Sequence, residues 1–237
     1  MTEKEFREAL ADKGILISDE QMEQFKTYYE LLIDWNSRMN LTAITEKEEV
    51  YLKHFYDSIS TAFYFDFSKP ITLIDIGAGA GFPSIPLKIV YPYVDVTIVD
   101  SLKKRITFLE TLGEALNLQQ VSFLHDRAET AGRNPQLRDQ FDIAISRAVA
   151  RMPVLTELCM PFVKQGGQFI ALKGMQGEEE LKEAGRAVQA LGGSPSSSYA
   201  FLLPGDDSER VLIVTHKDKK TPRKYPRKPG TPNKQPL

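Results

Sequence analysis

The first 66 residues carry their apolar side chains at helical spacing. Five of them fall three or four positions apart, as on one face of a helix: Met22, Phe25, Tyr29, Leu32 and Trp35. Ser18, followed three residues later by Gln21, has the pattern of an N-terminal capping box. A further helix is predicted over Glu46 to Phe65. Residues 1–66 are therefore predicted to form a helical cap on the domain that follows.

From residue 67 to 216, short apolar runs alternate with amphipathic stretches. The predicted strands are Ile71–Ile76, Val94–Asp100, Val121–Leu124, Phe141–Ser146, Gln168–Lys173, Ser198–Leu203 and Arg210–His216. The predicted helices are Pro83–Tyr91, Leu102–Leu116, Pro153–Val163 and Glu178–Leu191. Such alternation predicts an α/β fold with a mostly parallel sheet. The last two strands are joined by the turn Pro204 to Asp207 and should form a hairpin, which adds one antiparallel strand to a seven-stranded sheet.

The last 21 residues, 217–237, differ from the rest in charge. They hold eight lysines and arginines against Asp218 alone, a formal charge of +7, whereas the whole chain of 237 residues carries -2. Five prolines argue against a helix, so an extended tail without a core of its own is predicted. Such a tail is either a frayed terminus or an arm that binds phosphates, with Lys224 and Arg227 among the candidate contacts.

Composition narrows the class of protein further. The only cysteine, Cys159, excludes an internal disulfide and a Cys-based zinc site, and it favours a cytoplasmic setting. The longest apolar runs are too short to span a membrane. The three histidines lack metal-ligand spacing, so no metal is expected. Nothing in the sequence demands an oligomer, and a monomer is the simplest expectation.

The most informative segment is ITLIDIGAGAGFP. A predicted strand runs into Gly77, Gly79 and Gly81, and a helix follows, which is the arrangement of a loop that lets a ligand approach the backbone. A dinucleotide fingerprint would place its third glycine at position 82, where this chain has Phe82. Asp75, two residues before the loop, would repel a phosphate but favour an ammonium or sulfonium group.

Asp100 ends the second predicted strand. A carboxylate at this position can accept hydrogen bonds from both hydroxyls of a ribose, and it can equally serve as the N-cap of the helix that starts near Leu102. A ribose contact alone does not separate NAD from an adenosyl ligand.

Together, Asp75, the glycine loop and Asp100 resemble the class I S-adenosylmethionine-dependent methyltransferases, whose fold is Rossmann-like. Longer motifs resemble one family within that class: Met39–Thr42, His54–Ser58, Asp75–Pro83, His125–Glu129, Ser146–Ala150 and Ala171–Gly174. This is the bacterial small-subunit (16S) ribosomal RNA guanine-N7 methyltransferase family, also called glucose-inhibited division protein B. The resemblance covers nearly the whole chain.

The resemblance implies S-adenosylmethionine as cofactor and the small-subunit RNA or the 30S subunit as partner. It assigns cofactor contacts to the glycine loop and to positions at or after the ends of the next three strands: Gly77, Gly79, Phe82, Asp100, Ala128, Glu129 and Arg147. Guanine N7 bears a lone pair and no proton, so no general base is required, and Arg147 is expected to position the base.

Further RNA contacts are suggested for His54, Arg151 and Lys173. Each has a plainer alternative: a helix–domain contact for His54, a surface salt bridge for Arg151 and a solvated strand end for Lys173. Two other functions remain open at this level, an NAD-dependent oxidoreductase and a non-catalytic RNA-binding module. Deletion of the tail is expected to weaken RNA binding and to leave cofactor affinity unchanged.

Overall fold

A seven-stranded sheet forms the centre of the computed structural model, which describes residues 1–206 and 208–237. The strands are β1 (Thr72–Ile76), β2 (Asp95–Asp100), β3 (Val121–His125), β4 (Phe141–Arg147), β5 (Val163–Gly174), β6 (Ser197–Leu202) and β7 (Glu209–His216). Their order is β3-β2-β1-β4-β5-β7-β6, and β7 runs antiparallel to both of its neighbours, β5 and β6. The predicted sheet and its antiparallel strand are confirmed. Asp207, the last residue of the predicted turn, lies outside the described residues.

Helices cover both faces of the sheet. They are α1 (Glu3–Ala11), α2 (Asp19–Met39), α3 (Lys47–Val50), α4 (Asp57–Ile59), α5 (Ser84–Val90), α6 (Lys103–Ala115), α7 (Ala128–Ala131), α8 (Met152–Cys159), α9 (Gly177–Glu183), α10 (Gly185–Ala190) and α11 (Thr231–Lys234). A π-helical segment, Tyr51–Tyr56, joins α3 to α4, and 3₁₀ turns follow α4 and α8. The capping box at Ser18 and Gln21 is present at the start of α2.

The interior is divided into two cores, because successive side chains along each strand point to opposite faces of the sheet. Leu73 and Ile74, adjacent on β1, point to opposite faces of the sheet. On the first face the N-terminal helices share a core with α5 and α6. On the second face α8 and α10 pack against the sheet together with Tyr225 of the C-terminal segment. The two ends of the chain therefore cover opposite faces.

Two predicted elements differ in extent from those observed. The strand predicted at Gln168–Lys173 is longer, because β5 begins at Val163 and pairs with Phe141 before a bulge restores the register. The helix predicted over Glu178–Leu191 is interrupted after α9, and Gly185 begins a second helix. Glycine is a weak helix former, which suits it to this junction.

The predicted extended tail is wrong. Residues 217–237 are folded against the second face, where Thr221, Tyr225 and Pro232 are buried. The segment even contains the single turn α11, with Pro232 in its first turn, where a missing N–H group costs no helical hydrogen bond. Lys217 begins the segment with a buried ammonium that donates to the Met160 and Val163 carbonyls and to Asp139.

Candidate active site

The glycine-rich loop follows β1 at the carboxyl edge of the sheet. Gly77 has a positive φ of 75°, and a Cβ there would lie 2.6 Å from a methyl group of Val149. Gly79 also has a positive φ, 62°, but nothing lies within 4 Å of where its Cβ would be. One glycine is therefore required by close packing, and the other leaves open space above the loop. The Tyr28 hydroxyl of α2 donates to the Ala80 carbonyl at 2.6 Å and fixes the loop from the first face.

Asp100 stands beside this loop at the end of β2. One carboxylate oxygen accepts from the Gly79 N–H at 3.2 Å and the other from the Leu102 N–H at 2.9 Å. Arg105 is 3.5 Å away, which is longer than a good hydrogen bond. The predicted N-cap role is wrong, because the N-cap of α6 is Leu102 and it has no side-chain cap among the described residues. Asp100 nevertheless supports the chain that enters α6, and its contact with Arg105 is weak.

A cleft of about 170 Å³ opens over the loop. Its lining includes Gly77, Gly79, Phe82, Arg105 and Arg147. An adenosyl ligand needs N–H donors and small residues under it and a carboxylate for its ribose, and this lining with the adjacent Asp100 provides both. The cleft is smaller than the roughly 300 Å³ at the lower end of small-molecule sites. The residues present suit such a group.

Phe82 is the base of an aromatic stack. Its ring lies 5.4 Å from that of Tyr28 and 4.5 Å from that of His54, nearly parallel to both. The Arg147 guanidinium carbon is 4.9 Å from the centre of the same ring. Position 82, where a dinucleotide fingerprint would have a glycine, thus carries the Phe82 ring, and this ring packs against the guanidinium of Arg147 at the end of β4.

His54 lies in the π-helical segment and is held as the neutral ring. Burial, aided by the charge of Arg147, lowers its pKa to about 3. Arg147 Nη2 is 3.1 Å from His54 Nδ1, and a guanidinium can only donate, so Nδ1 accepts. Nδ1 also lies 3.1 Å from the Lys53 carbonyl, but that carbonyl already accepts from Arg147 Nη1. We therefore assign the ring proton to Nε2, which lies 2.8 Å from Thr42 Oγ1. The segment containing His54 orients Arg147 from the first face.

Arg147 also contacts a buried carboxylate. Its Nη1 donates to Asp57 at 3.0 Å and to the Lys53 carbonyl at 3.1 Å. The second oxygen of Asp57 accepts from Arg210 of β7 at 2.9 Å. Among the described residues, these contacts engage three of the five N–H groups of Arg147. Its other two N–H groups have no partner among these residues.

A second cleft of about 520 Å³ adjoins the first. His54, Arg147 and Ala148 line both clefts. The charged residues around the larger one are Lys53, Asp57, Arg147, Arg151, Lys173, Glu180 and Arg210, a formal net charge of +3. Ala148, on the shared wall, has a positive φ of 57°, a strained conformation for a residue with a Cβ. A cationic cleft beside the glycine loop suits an anionic substrate.

Two residues suggested for RNA contact are engaged within the protein. Lys173 is not a solvated strand end: its ammonium donates to the Ala150 carbonyl at 2.5 Å and lies 2.8 Å from Glu180. Arg151 is half-exposed and forms a forked pair with Glu183, at 2.8 and 2.9 Å. Both lie on the larger cleft, where their charge contributes to its field.

The other predicted positions lie near the second face. Ala128 and Glu129 start α7 beside the end of β3, and Glu129 is buried. Lys224 is exposed, with its ammonium 5.1 Å from the centre of the Tyr225 ring. Arg227 instead points inward and pairs with the fully buried carboxylate of Glu157, at 2.6 Å. An arginine used in this way is not free to follow an RNA backbone.

Asp75 lies behind the loop and does not line the cleft. Its carboxyl group is fully buried, which raises its pKa to about 7. One oxygen accepts from the Ser84 N–H, whereas the other, like the neighbouring Ser84 hydroxyl, has no partner among the residues that the structure describes. Asp75 therefore supports the start of α5 from below, and the expected direct contact with a ligand cation is not seen.

Among the described residues, no three His, Cys, Asp or Glu side chains stand together as metal ligands would. None of the described helices combines the length and the apolar character needed to cross a bilayer.

The fold is that of the class I methyltransferases. Solved structures with the same fold include an S-adenosylmethionine-dependent O-methyltransferase from Thermotoga maritima, with a TM-score of 0.54 and 17% identity over 81% of this chain and 73% of the other. TYW2 from M. jannaschii, solved in complex with AdoMet, gives a TM-score of 0.54 and 14% identity over 73% and 77%. At these identities the likeness concerns the fold.

The sequence comparisons identify the family. The family model described as rRNA small subunit methyltransferase G matches residues 21–208. The proteins named ribosomal RNA small subunit methyltransferase G from Bacillus velezensis and Listeria monocytogenes are each 57% identical over all 237 residues and at least 99% of their own length. The chain belongs to the rRNA small subunit methyltransferase G family, and the predicted resemblance is confirmed.

Sequence reasoning missed two members of the site, Arg210 and Tyr28, and also the buried acid Glu157, which holds Arg227. Arg210 comes from the final hairpin, and only the sheet order brings it to Asp57. Tyr28 lies on the helix that was predicted from the apolar stripe. Its hydrogen bond to the glycine loop, however, depends on how α2 packs against that loop. Glu157 is the acidic residue of the otherwise largely apolar helix α8. Because a buried carboxylate is rarely left unpaired, this position could have indicated a buried cationic partner.

Proposed function

We propose that this enzyme transfers a methyl group from S-adenosylmethionine to N7 of a guanine in small-subunit ribosomal RNA. The observation that carries the proposal is the wall of His54, Arg147 and Ala148 shared by the two clefts. A donor over the glycine loop and a base in the cationic cleft would meet at this wall. The names of the relatives support the RNA as substrate.

S-adenosylmethionine supplies, when bound, a methyl group on a positively charged sulfur. In this proposal Gly77 and Gly79 present backbone groups beneath the donor, Asp100 accepts from its ribose, and Ala128 and Glu129 flank its adenine. The sulfonium charge disfavours nearby cations, so we place the guanidinium of Arg147 toward the substrate.

The chain has little proton transfer to perform. Guanine N7 attacks through a lone pair that carries no proton, so no side chain has to act as base. The neutral His54 is consistent with this, because it accepts from Arg147 rather than taking up a proton. The two remaining donors of Arg147 match guanine O6 or a phosphate. Holding nucleophile, methyl and sulfur in line then supplies the rate, for which about 7–11 kcal/mol is available from positioning.

The assignment of Asp100 provides the test. Asp100→Ala removes the acceptor of two hydroxyl donors, and we expect S-adenosylmethionine affinity to fall about 10- to 100-fold, with methyl transfer to small-subunit RNA falling in parallel. Calorimetric titration and mass mapping of the modified nucleotide measure the two effects. A normal titration with Asp100→Ala contradicts the ribose assignment. Methylation at another atom or in another RNA contradicts the proposed substrate.

A further inference from the structure

The C-terminal segment, residues 217–237, is bound by arginines that precede β4. Arg133 Nε donates to the Pro226 carbonyl at 2.9 Å, and Arg138 donates to the carbonyls of Tyr225 and Thr221 at 2.8 and 2.7 Å. These hydrogen bonds are accepted by backbone carbonyls of the segment and do not involve its charged side chains. The basic segment is therefore attached by donors from the body of the protein, and like charge does not prevent its docking.

One ion pair anchors the segment more deeply. Glu157 on α8 accepts from the Arg227 backbone N–H at 2.7 Å and from two atoms of its guanidinium, at distances from 2.6 to 3.1 Å. The Glu157 side chain is 0% exposed. A buried carboxylate is strongly destabilising without its partner, so Glu157 favours the docked position of Arg227.

Beyond Arg227 the segment reaches the adenine side of the proposed cofactor site. The Gly230 N–H donates to Glu129 Oε1 at 2.8 Å. Pro226 packs on Gly132, where an added Cβ would lie 3.1 Å from the proline ring. Glu129 belongs to α7, which has only four residues. A helix this short is not stable by itself, so its position depends on such contacts.

We infer that residues 217–237 are a strap that positions Ala128 and Glu129 for cofactor binding, with Arg227 and Gly230 as positioning residues. This inference rests on the proposed function, because that proposal places the adenine against α7. Coupling between two sites is reciprocal: if docking of the strap strengthens S-adenosylmethionine binding, the ligand must stabilise the docked strap by the same factor. Deletion of residues 217–237 should therefore weaken cofactor binding, in contrast to the expectation from the sequence that it leaves cofactor affinity unchanged.

The ligand's effect on the strap can be measured with the unmodified protein. Trypsin cleaves after lysine and arginine, and Lys224 is exposed in the strap. We expect saturating S-adenosylmethionine to slow cleavage within residues 219–228 about tenfold, a typical coupling between two sites. Cleavage at the same rate with and without the ligand, in protein shown to bind it, overturns the inference. This assay needs no methyl transfer.

Variants of the anchor give the converse measurement. Arg227→Met should weaken S-adenosylmethionine binding about tenfold and raise its KM, with kcat unchanged at saturation. Arg227→Lys keeps the charge and should restore part of the affinity. Lys224→Met is the matched control: it removes a cation three residues away without touching Glu157, and the affinity should be unchanged.

The outcomes separate the strap from the function it rests on. If Arg227→Met binds S-adenosylmethionine normally while Asp100→Ala does not, the strap inference is wrong and the cofactor site stands. If both bind normally, the proposed site itself is wrong. Should Arg227→Met fail to fold, the protection of the unmodified strap by the ligand still decides the question.

Discussion

The two ends of the chain reach the candidate site from opposite faces of the sheet and are held by different forces. The N-terminal helices pack through aromatic rings: Phe55 lies 5.1 Å or less from the rings of Phe25, Tyr28 and Tyr51. The C-terminal segment has Tyr225 as its buried aromatic side chain, and it is otherwise held by bonds from Arg133, Arg138 and Glu157.

This difference matters for how each end can act. Apolar packing is shared among many neighbours, so the N-terminal helices should unfold only with the core they share with α5 and α6. The polar bonds from Arg133 and Arg138 to the strap can open locally, because water can replace each partner, whereas the buried pair of Glu157 and Arg227 favours the docked position. One end is therefore part of the scaffold of the site, and the other can respond to its ligand.

The largest contrast should appear on truncation of one aromatic side chain at each end. Phe55→Ala leaves a cavity among four or more rings and should lower the free energy of unfolding by about 3–5 kcal/mol. Tyr225→Ala should lower it by less than about 1 kcal/mol, because the strap can detach while the body stays folded. Urea titrations measure both values.

A protease assay sharpens this comparison. Tyr225→Ala should be cut by trypsin within the strap much faster than the unmodified protein, whereas the body remains resistant. Equal losses of unfolding free energy for the two variants would show instead that the strap belongs to the cooperative core.

A smaller effect is expected at His54, where the N-terminal helices meet Arg147. His54→Leu removes the acceptor for Nη2, and the resulting freedom of the guanidinium should lower kcat about 10- to 100-fold. His54→Asn places an oxygen near the position of Nδ1 and should recover much of this loss. If both variants lose equally, the aromatic stack on Phe82 rather than the orientation of Arg147 is what matters.

The same residue predicts a pH effect on stability. The pKa of His54 is lowered to about 3 in the folded protein, from the ordinary value of 6.5. Between these two pH values the unfolded chain binds a proton that the folded chain does not, so stability falls as the pH is lowered from 6.5 toward 3. Urea titrations at pH 7 and pH 5 should show a smaller decrease for His54→Leu than for the unmodified protein.

Sequence patterns predicted the parts of the site that are formed by consecutive elements of the chain. The order of strand, glycine loop and helix placed Gly77 and Asp100 at one edge of the sheet, and both stand there because parallel strands end together. The contact between Arg210 and Asp57 joins residues 153 positions apart, and no spacing in the chain encodes it. The strap was mispredicted for a related reason: proline and charge exclude a long helix, but they do not exclude docking onto arginines elsewhere.

The smallest effect concerns the outward charges of the strap. Lys224 and Lys228 are exposed, and so are Lys4 in α1 and Lys13 in the turn after it. Replacing either pair by glutamine should change the free energy of unfolding by no more than about 0.5 kcal/mol. The pairs should differ in RNA binding: if the strap follows the RNA backbone, the K224Q/K228Q protein loses up to two phosphate contacts, and the slope of log affinity against log salt falls by about 1.4. The K4Q/K13Q protein should keep the full slope. Equal slopes for both proteins in a filter-binding titration would leave the strap with its positioning role on the cofactor side alone.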